Sequence, residues 1–178
     1  RATHDRMGRL KVLDLLCRIY LTVIRGTPTV VQLLIIYFVI LKSCDNKVLV
    51  AIIAFGVNSG AYVAEIIRSG VQAVDNGQME AARSVGFSHG QAMRLVVLPQ
   101  AIKNILPALG NEFVTVIKES SIVSVIGLAD LMFRTNDVIA LTFKSLACLA
   151  IAALCYFAMT FTGGRLIALA ERKMNHGK

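Results

Sequence analysis

Two groups of residues have types and spacings suited to a task, and neither group is catalytic. The first is polar and sits inside apolar runs. Asn58 and Ser59 lie in "VLVAIIAFGVNSGAYVAEII" (48–67), and Lys118, Glu119, Ser120 and Ser121 lie in "LPALGNEFVTVIKESSIVSVIG" (106–127). Polar and ionisable groups at bilayer depth are expensive and by default mark a route for polar solutes. Neighbouring helical residues point about 100° apart. Lys118 and Glu119 are therefore expected to face different directions, as the carboxylate and amine of a zwitterion would require, with Asn58 and Ser59 completing the path. The competing reading is that Lys118 and Glu119 neutralise each other or other polar span residues, and the sequence leaves both open.

The second group is "DNGQMEAARSVGFSHGQAMRLVVLPQA" (75–101). Asp75 with Gln78, and Ser88 with Gln91, have the spacing of capping boxes. Met79, Ala82 and Val85 fall on one helical face, while Glu80, Arg83 and Ser84 fall on another, Glu80 and Arg83 at pairing distance. Gly86 stops the first helix, and Met93, Val96 and Val97 give the second an apolar face that Pro99 is expected to end. The first helix is about 10 residues, ~15 Å, too short to persist unaided. It must pack on the rest of the chain, as a plain structural loop would, or on a partner, as a docking element would.

Catalytic patterns are missing. There is no GxxxxGK[ST] or HExxH, no CxxC, and no histidine at ligand spacing. No catalytic and no metal-binding residues are expected. Cys148 and Cys155, in an apolar run, read as small hydrophobes, and His4, His89 and His176 as isolated residues without a role. Glu65 and Arg68, at the end of a span, read as a gate or interface pair.

The elements that must position these residues follow from composition. Of the 178 residues 56% are hydrophobic, and only 17% are charged. Counting glycine in place of tyrosine raises the apolar share to about 61%, against ~45–50% for soluble domains. The net charge of +8 sits at the edges of apolar runs rather than in an aromatic-laced patch, which argues for a membrane and against nucleic acid. An amphipathic piece, "VLDLLCRIYLTVI", is expected at the membrane surface, before Pro28 turns the chain inward. Four spans fit, over roughly 29–41, 48–67, 106–127 and 146–162. On that topology fourteen Lys and Arg lie on one side and four on the other, which places both chain ends and residues 69–105 in the cytoplasm. The fold expected is an all-α integral membrane bundle, a single domain over 1–178.

The stretch "EAARSVGFSHGQAMRLVVLP" resembles the EAA loop of ABC-importer permeases, with Glu80, Ala81, Ala82, Gly86, Leu98 and Pro99 matching and Val96 where isoleucine is usual. "RGTPTVVQLLIIYF", "NSGAYVAEIIRSGVQAV", "GQMEAARSVG" and "KESSIVSVIGLADL" resemble the polar amino-acid uptake group of these permeases. The resemblance covers nearly the whole chain. It implies a five-span parent whose first span is missing here, in the cell inner membrane. It also implies a coupling helix seated in a cleft of a cytoplasmic ATPase. Glu80 and Arg83 would supply polar contacts, Ala81 and Ala82 close approach, and Gly86 a turn where a side chain would obstruct. No cofactor is expected in this chain, ATP and Mg being bound by the partner ATPase. Expected partners are two ATPase subunits, a second permease subunit (a copy or a homologue), an extracytoplasmic amino-acid-binding protein, a polar amino acid and membrane lipid, with no nucleic acid. The alternative is a channel or secondary transporter that works without ATP. A membrane scaffold and a membrane enzyme fit less well, given Lys118 and Glu119 and the missing catalytic set.

Overall fold

The structure is a computed structural model that describes residues 2–175, with side chains over 11–172. Arg1 and His176, and the side chains of His4, Arg6, Arg9 and Lys173, lie outside the described residues. The described residues are helical and contain no strand. They form two compact units, Arg1–Tyr62 and Val63–Lys178, with the boundary inside one long helix.

The first unit begins with α1 (Ala2–Arg25), continues with α2 (Thr29–Ile35), which widens into a π turn over Ile36–Ile40, and ends in the first part of α3 (Lys47–Gln72). α1 stops where Pro28 can neither donate a hydrogen bond nor tolerate a helical residue before it. Thr27 Oγ1 donates to the Val23 carbonyl (2.8 Å) and closes the last turn. Across this break the helical segments Lys11–Arg25 and Thr29–Ile40 are bent by 110°. Asn46 starts α3 by accepting from the Leu49 amide (3.1 Å). Leu33, Val50, Ala54 and Ala61 form the buried side of the unit.

The second unit holds the rest of α3, then α4 (Asn76–Ser84), α5 (His89–Ala92), a π turn (Met93–Val97) and α6 (Leu98–Glu119). A 3-10 segment (Ser120–Ile126), α7 (Leu131–Thr142) and α8 (Ser145–Asn175) follow. Asp130 caps α7, accepting from the Phe133 amide (2.8 Å) through one oxygen, while the Tyr156 hydroxyl donates to the other (3.4 Å). α6 and α8 meet at glycines. A Cβ on Gly110 would lie 2.5 Å from Ile167 Cγ2, and one on Gly163 3.5 Å from Val114 Cγ2.

By length and apolarity α3 and Ser145–Arg172 of α8 each suffice to cross a membrane, and the bent pair of the first unit makes a third candidate. The expected spans at 29–41, 48–67 and 146–162 fall on these. The fourth does not emerge as one apolar helix. Residues 106–127 divide into the end of α6, which carries Glu112, Lys118 and Glu119 and encloses Pro107, and the 3-10 segment. The serines explain the change of helix. Ser120, Ser121 and Ser124 donate to the carbonyls of Ile117, Lys118 and Ser121, three residues back (2.7–2.9 Å), a local pattern that competes with the α-helical ladder.

Candidate functional site

The segment 75–101 folds as a helical hairpin. Asp75 opens α4 by accepting from the Gly77 amide (2.6 Å). The expected box with Gln78 does not close, because Gln78 Oε1 accepts instead from Gln100 Nε2 (3.2 Å), tying α4 to α6. At the far end Gly86, at φ +97°, donates to Arg83 O (3.1 Å) and Phe87 donates to Ala82 O (3.2 Å). These two bonds are a Schellman stop, which needs a left-handed residue at that position. A Cβ on Gly86 would meet nothing within 4 Å. Within this chain the glycine is required by backbone conformation, and the expected obstruction of a side chain is not there.

The second helix starts as expected. Ser88 Oγ accepts from the Gln91 amide (3.3 Å) and Gln91 Oε1 accepts from the Ser88 amide (2.9 Å). Pro99 does not end it. The chain runs helically from His89 to Glu119, with the π turn just before the proline and Pro99 in the first turn of α6. A proline in a first turn forfeits no bond a helix start would make, and the wider turn absorbs the carbonyl left over. The hairpin's second arm is thus the start of a long helix.

The faces of α4 also sort differently from expectation. Ala82 is 6% exposed, and Met79 packs with Met93 on a cluster of Val74, Val97, Ala101 and Ile105. Gly70 of α3 seats the side chain of Ile105 beneath that cluster. Ala82 therefore serves the hairpin's own packing. Ala81, Glu80 and Arg83 are exposed, and no ion pair joins Glu80 to Arg83. Val85, expected on the apolar inner face, is 75% exposed, because it lies past the end of α4. With Phe87 it flanks Gly86 at the tip.

The polar span residues belong to separate units. In the first, Asn58 is 3% exposed and its Nδ2 donates to Gln32 Oε1 (2.9 Å), with a longer contact to Thr29 Oγ1 (3.5 Å). Gln32, 8% exposed, turns its Nε2 to Ile24 O (2.7 Å), Thr27 O (3.1 Å) and Thr27 Oγ1 (2.8 Å). The amide of Gln32 thus satisfies carbonyls left open where α1 stops. Gln32 and Thr27 border a cavity of about 420 Å³ walled by Val23, Ile35, Ile53 and Val57. Ser59, half-buried, follows Asn58 on α3. Gln32 was missed in the sequence, although a lone amide within "TVVQLLIIYF" is itself a signal.

In the second unit Lys118 is exposed and Glu119 half-buried at the end of α6. The hydroxyl protons of Ser120 and Ser121 are committed to helix carbonyls, so toward a solute these serines present oxygen lone pairs. At the end of α3 the Arg68 guanidinium forks onto the Glu65 carboxylate, with Nε to Oε2 at 3.1 Å, and holds Gln72 Oε1 at 3.0 Å.

Comparisons with known proteins agree with this architecture. Residues 2–176 match the profile of binding-protein-dependent transport system inner membrane components. The arginine transport system permease protein ArtQ of Bacillus subtilis is 44% identical over 158 residues, which are 87% of this chain and 72% of that one. The glutamine transport system permease protein GlnP of Escherichia coli is 35% identical over 160 residues, 88% of this chain and 73% of its own. A crystal structure of an amino acid ABC transporter with histidines superposes with a TM-score of 0.85 at 50% identity, covering 94% of this chain and 79% of that chain.

Proposed function

We propose, on the premise that this chain belongs to the family of binding-protein-dependent transport system inner membrane components, that it imports polar amino acids under the drive of a separate ATPase. It is an amino-acid ABC transport permease of the inner membrane, a transport subunit. The relatives are named for arginine and glutamine, both polar amino acids.

The observation that carries the coupling reading is the division of α4. Its inner side carries Met79, packed on the cluster that Ala101 and Ile105 of α6 complete, and the buried Ala82. Its outer side offers Glu80, Ala81 and Arg83, and the tip adds exposed Val85 and Phe87 beside Gly86. Small, charged and apolar groups presented together on a rigid hairpin suit insertion into a cleft of another protein. Because the second arm continues as α6, a pull on the hairpin is passed directly to the helix that carries Lys118 and Glu119. ATP and Mg are bound by the ATPase on the cytoplasmic side, where the excess of basic residues favours the hairpin. The assembly is completed by a second permease subunit, identical or homologous, and by an extracytoplasmic amino-acid-binding protein.

In the second unit the solute path runs past Lys118, Glu119, Ser120 and Ser121, and in the first unit Ser59 is the residue assigned to it. The amide of Asn58 is occupied by Gln32, so Asn58 takes part by holding the break between α1 and α2. Uptake of labelled polar amino acids into proteoliposomes tests the reading. Uptake that needs ATP, the ATPase and the binding protein is expected. Uptake by this permease alone, without ATP, would instead establish a secondary transporter or channel.

A further inference from the structure

The outward side of α8 carries a feature that amino-acid transport does not use. α8 packs on α6 through Gly163 and Ile167. At about 100° per residue, Phe161, Arg165, Ala168, Leu169 and Arg172 all fall within about 60° of the opposite side. These five residues line a groove of about 380 Å³. The Arg165 guanidinium carbon sits 5.1 Å from the centre of the Phe161 ring, and Phe161 stacks on Phe157 at 5.6 Å.

Depth gives the groove its meaning. Twenty residues separate Ser145 from Arg165, about 30 Å of helix, which is one hydrocarbon thickness. Arg165 therefore lies at the boundary between acyl chains and headgroups, and Arg172 about 10 Å further out, among the headgroups. Phe157 and Phe161 are exposed on the acyl-chain side of Arg165. The carboxylate of this stretch, Glu171, is half-buried and lies toward the α6 side. The stripe is thus apolar below and cationic above, and the aromatic ring holds the lower guanidinium in place with donors left for an oxyanion.

We propose that this stripe is a binding site for an anionic phospholipid. Arg165 and Arg172 receive the phosphodiester and its charged headgroup, and the acyl chains lie along Phe161 and Phe157. A free phosphate ion would use the arginines and leave the aromatic foot idle. The proposal rests on α8 crossing the membrane and is independent of which solute is carried, so loss of uptake does not bear on it.

The test uses the full-length permease assembled with its ATPase, in phosphatidylcholine vesicles containing a minor share of phosphatidylglycerol. The lipids that stay with the gently extracted complex are quantified. Phosphatidylglycerol is expected to be enriched over its share in the vesicle. Arg165→Gln and Arg172→Gln are each expected to lower that enrichment about fivefold, while Arg165→Lys keeps most of it. Phe161→Leu, which keeps both charges, is expected to lower it less. If the wild-type complex shows no enrichment, or Arg165→Gln and Arg172→Gln leave it unchanged, the proposal is wrong. A face covered by a second protein chain would give the first of those results.

Discussion

Gln32 and Asn58 hold each other inside the first unit, Asn58 Nδ2 donating to Gln32 Oε1 at 2.9 Å with both side chains buried. The pair fixes a break in the chain. Gln32 spends its own hydrogens on Ile24 O and Thr27 O, the carbonyls that the end of α1 leaves open, and Asn58 supplies the donor that its oxygen needs. Gln32→Leu removes one partner from each, leaving buried polar groups unmatched at about 1–3 kcal/mol apiece. The thermal midpoint of the purified protein should fall clearly. Asn58→Leu should fall less, since the Ile24 and Thr27 carbonyls keep their donor.

Much of this architecture was legible. Proline, glycine and the capping serine mark ends by local chemistry, so the turn after Arg25, the stop at Gly86 and the box of Ser88 with Gln91 could all be read in the chain. What escaped was long-range. Gln78 has the spacing of a capping residue, but Gln100 lies 22 residues away in sequence and competes for it. Pro99 is a stop signal only when the chain before it is not already winding into a new first turn. Ala81 and Ala82 are identical as letters, and only packing separates the exposed one from the buried one.

That separation is testable. Ala81→Asp places a charge on an exposed face and should leave the hairpin folded while weakening ATPase docking. Ala82→Asp forces a carboxylate into a buried position of α4 and should unfold the helix itself. Amide exchange over 76–84 distinguishes them, with protection kept in the first variant and lost in the second.

Gly86 should obey conformation rather than size. At φ +97° any side chain costs about 1–3 kcal/mol, although nothing stands within 4 Å of the added carbon. Gly86→Asn, whose side chain tolerates positive φ, should keep more transport than Gly86→Ala, and Gly86→Val should keep least. Equal activity for alanine and asparagine would argue against this account.

The contact of α6 with α8 is set by a glycine. Gly110→Ala would place its Cβ 2.5 Å from Ile167 Cγ2, an overpacking expected to cost about 1–3 kcal/mol. Adding Ile167→Ala should recover part of that loss, and a double-mutant cycle on thermal stability would show positive coupling.

At the end of α6, Glu119→Ala and Lys118→Ala should each reduce uptake at low substrate concentration, since both lie on the proposed path. Initial rates against concentration would show a raised KM. Unchanged kinetics in both would remove them from the path.

On the proposed reading, the outer side of α4 is the handle by which an ATPase moves this permease. The most direct measurement is the amount of ATPase that copurifies with the full-length permease carrying Glu80→Arg and Ala81→Asp together, compared with wild type. Both residues are exposed, and neither supports the hairpin's own packing. A stoichiometric ATPase is expected with the wild-type protein and is expected to be lost from the variant, while the variant still inserts in the membrane and stays folded. Undiminished ATPase on the variant would contradict it and move the coupling surface elsewhere.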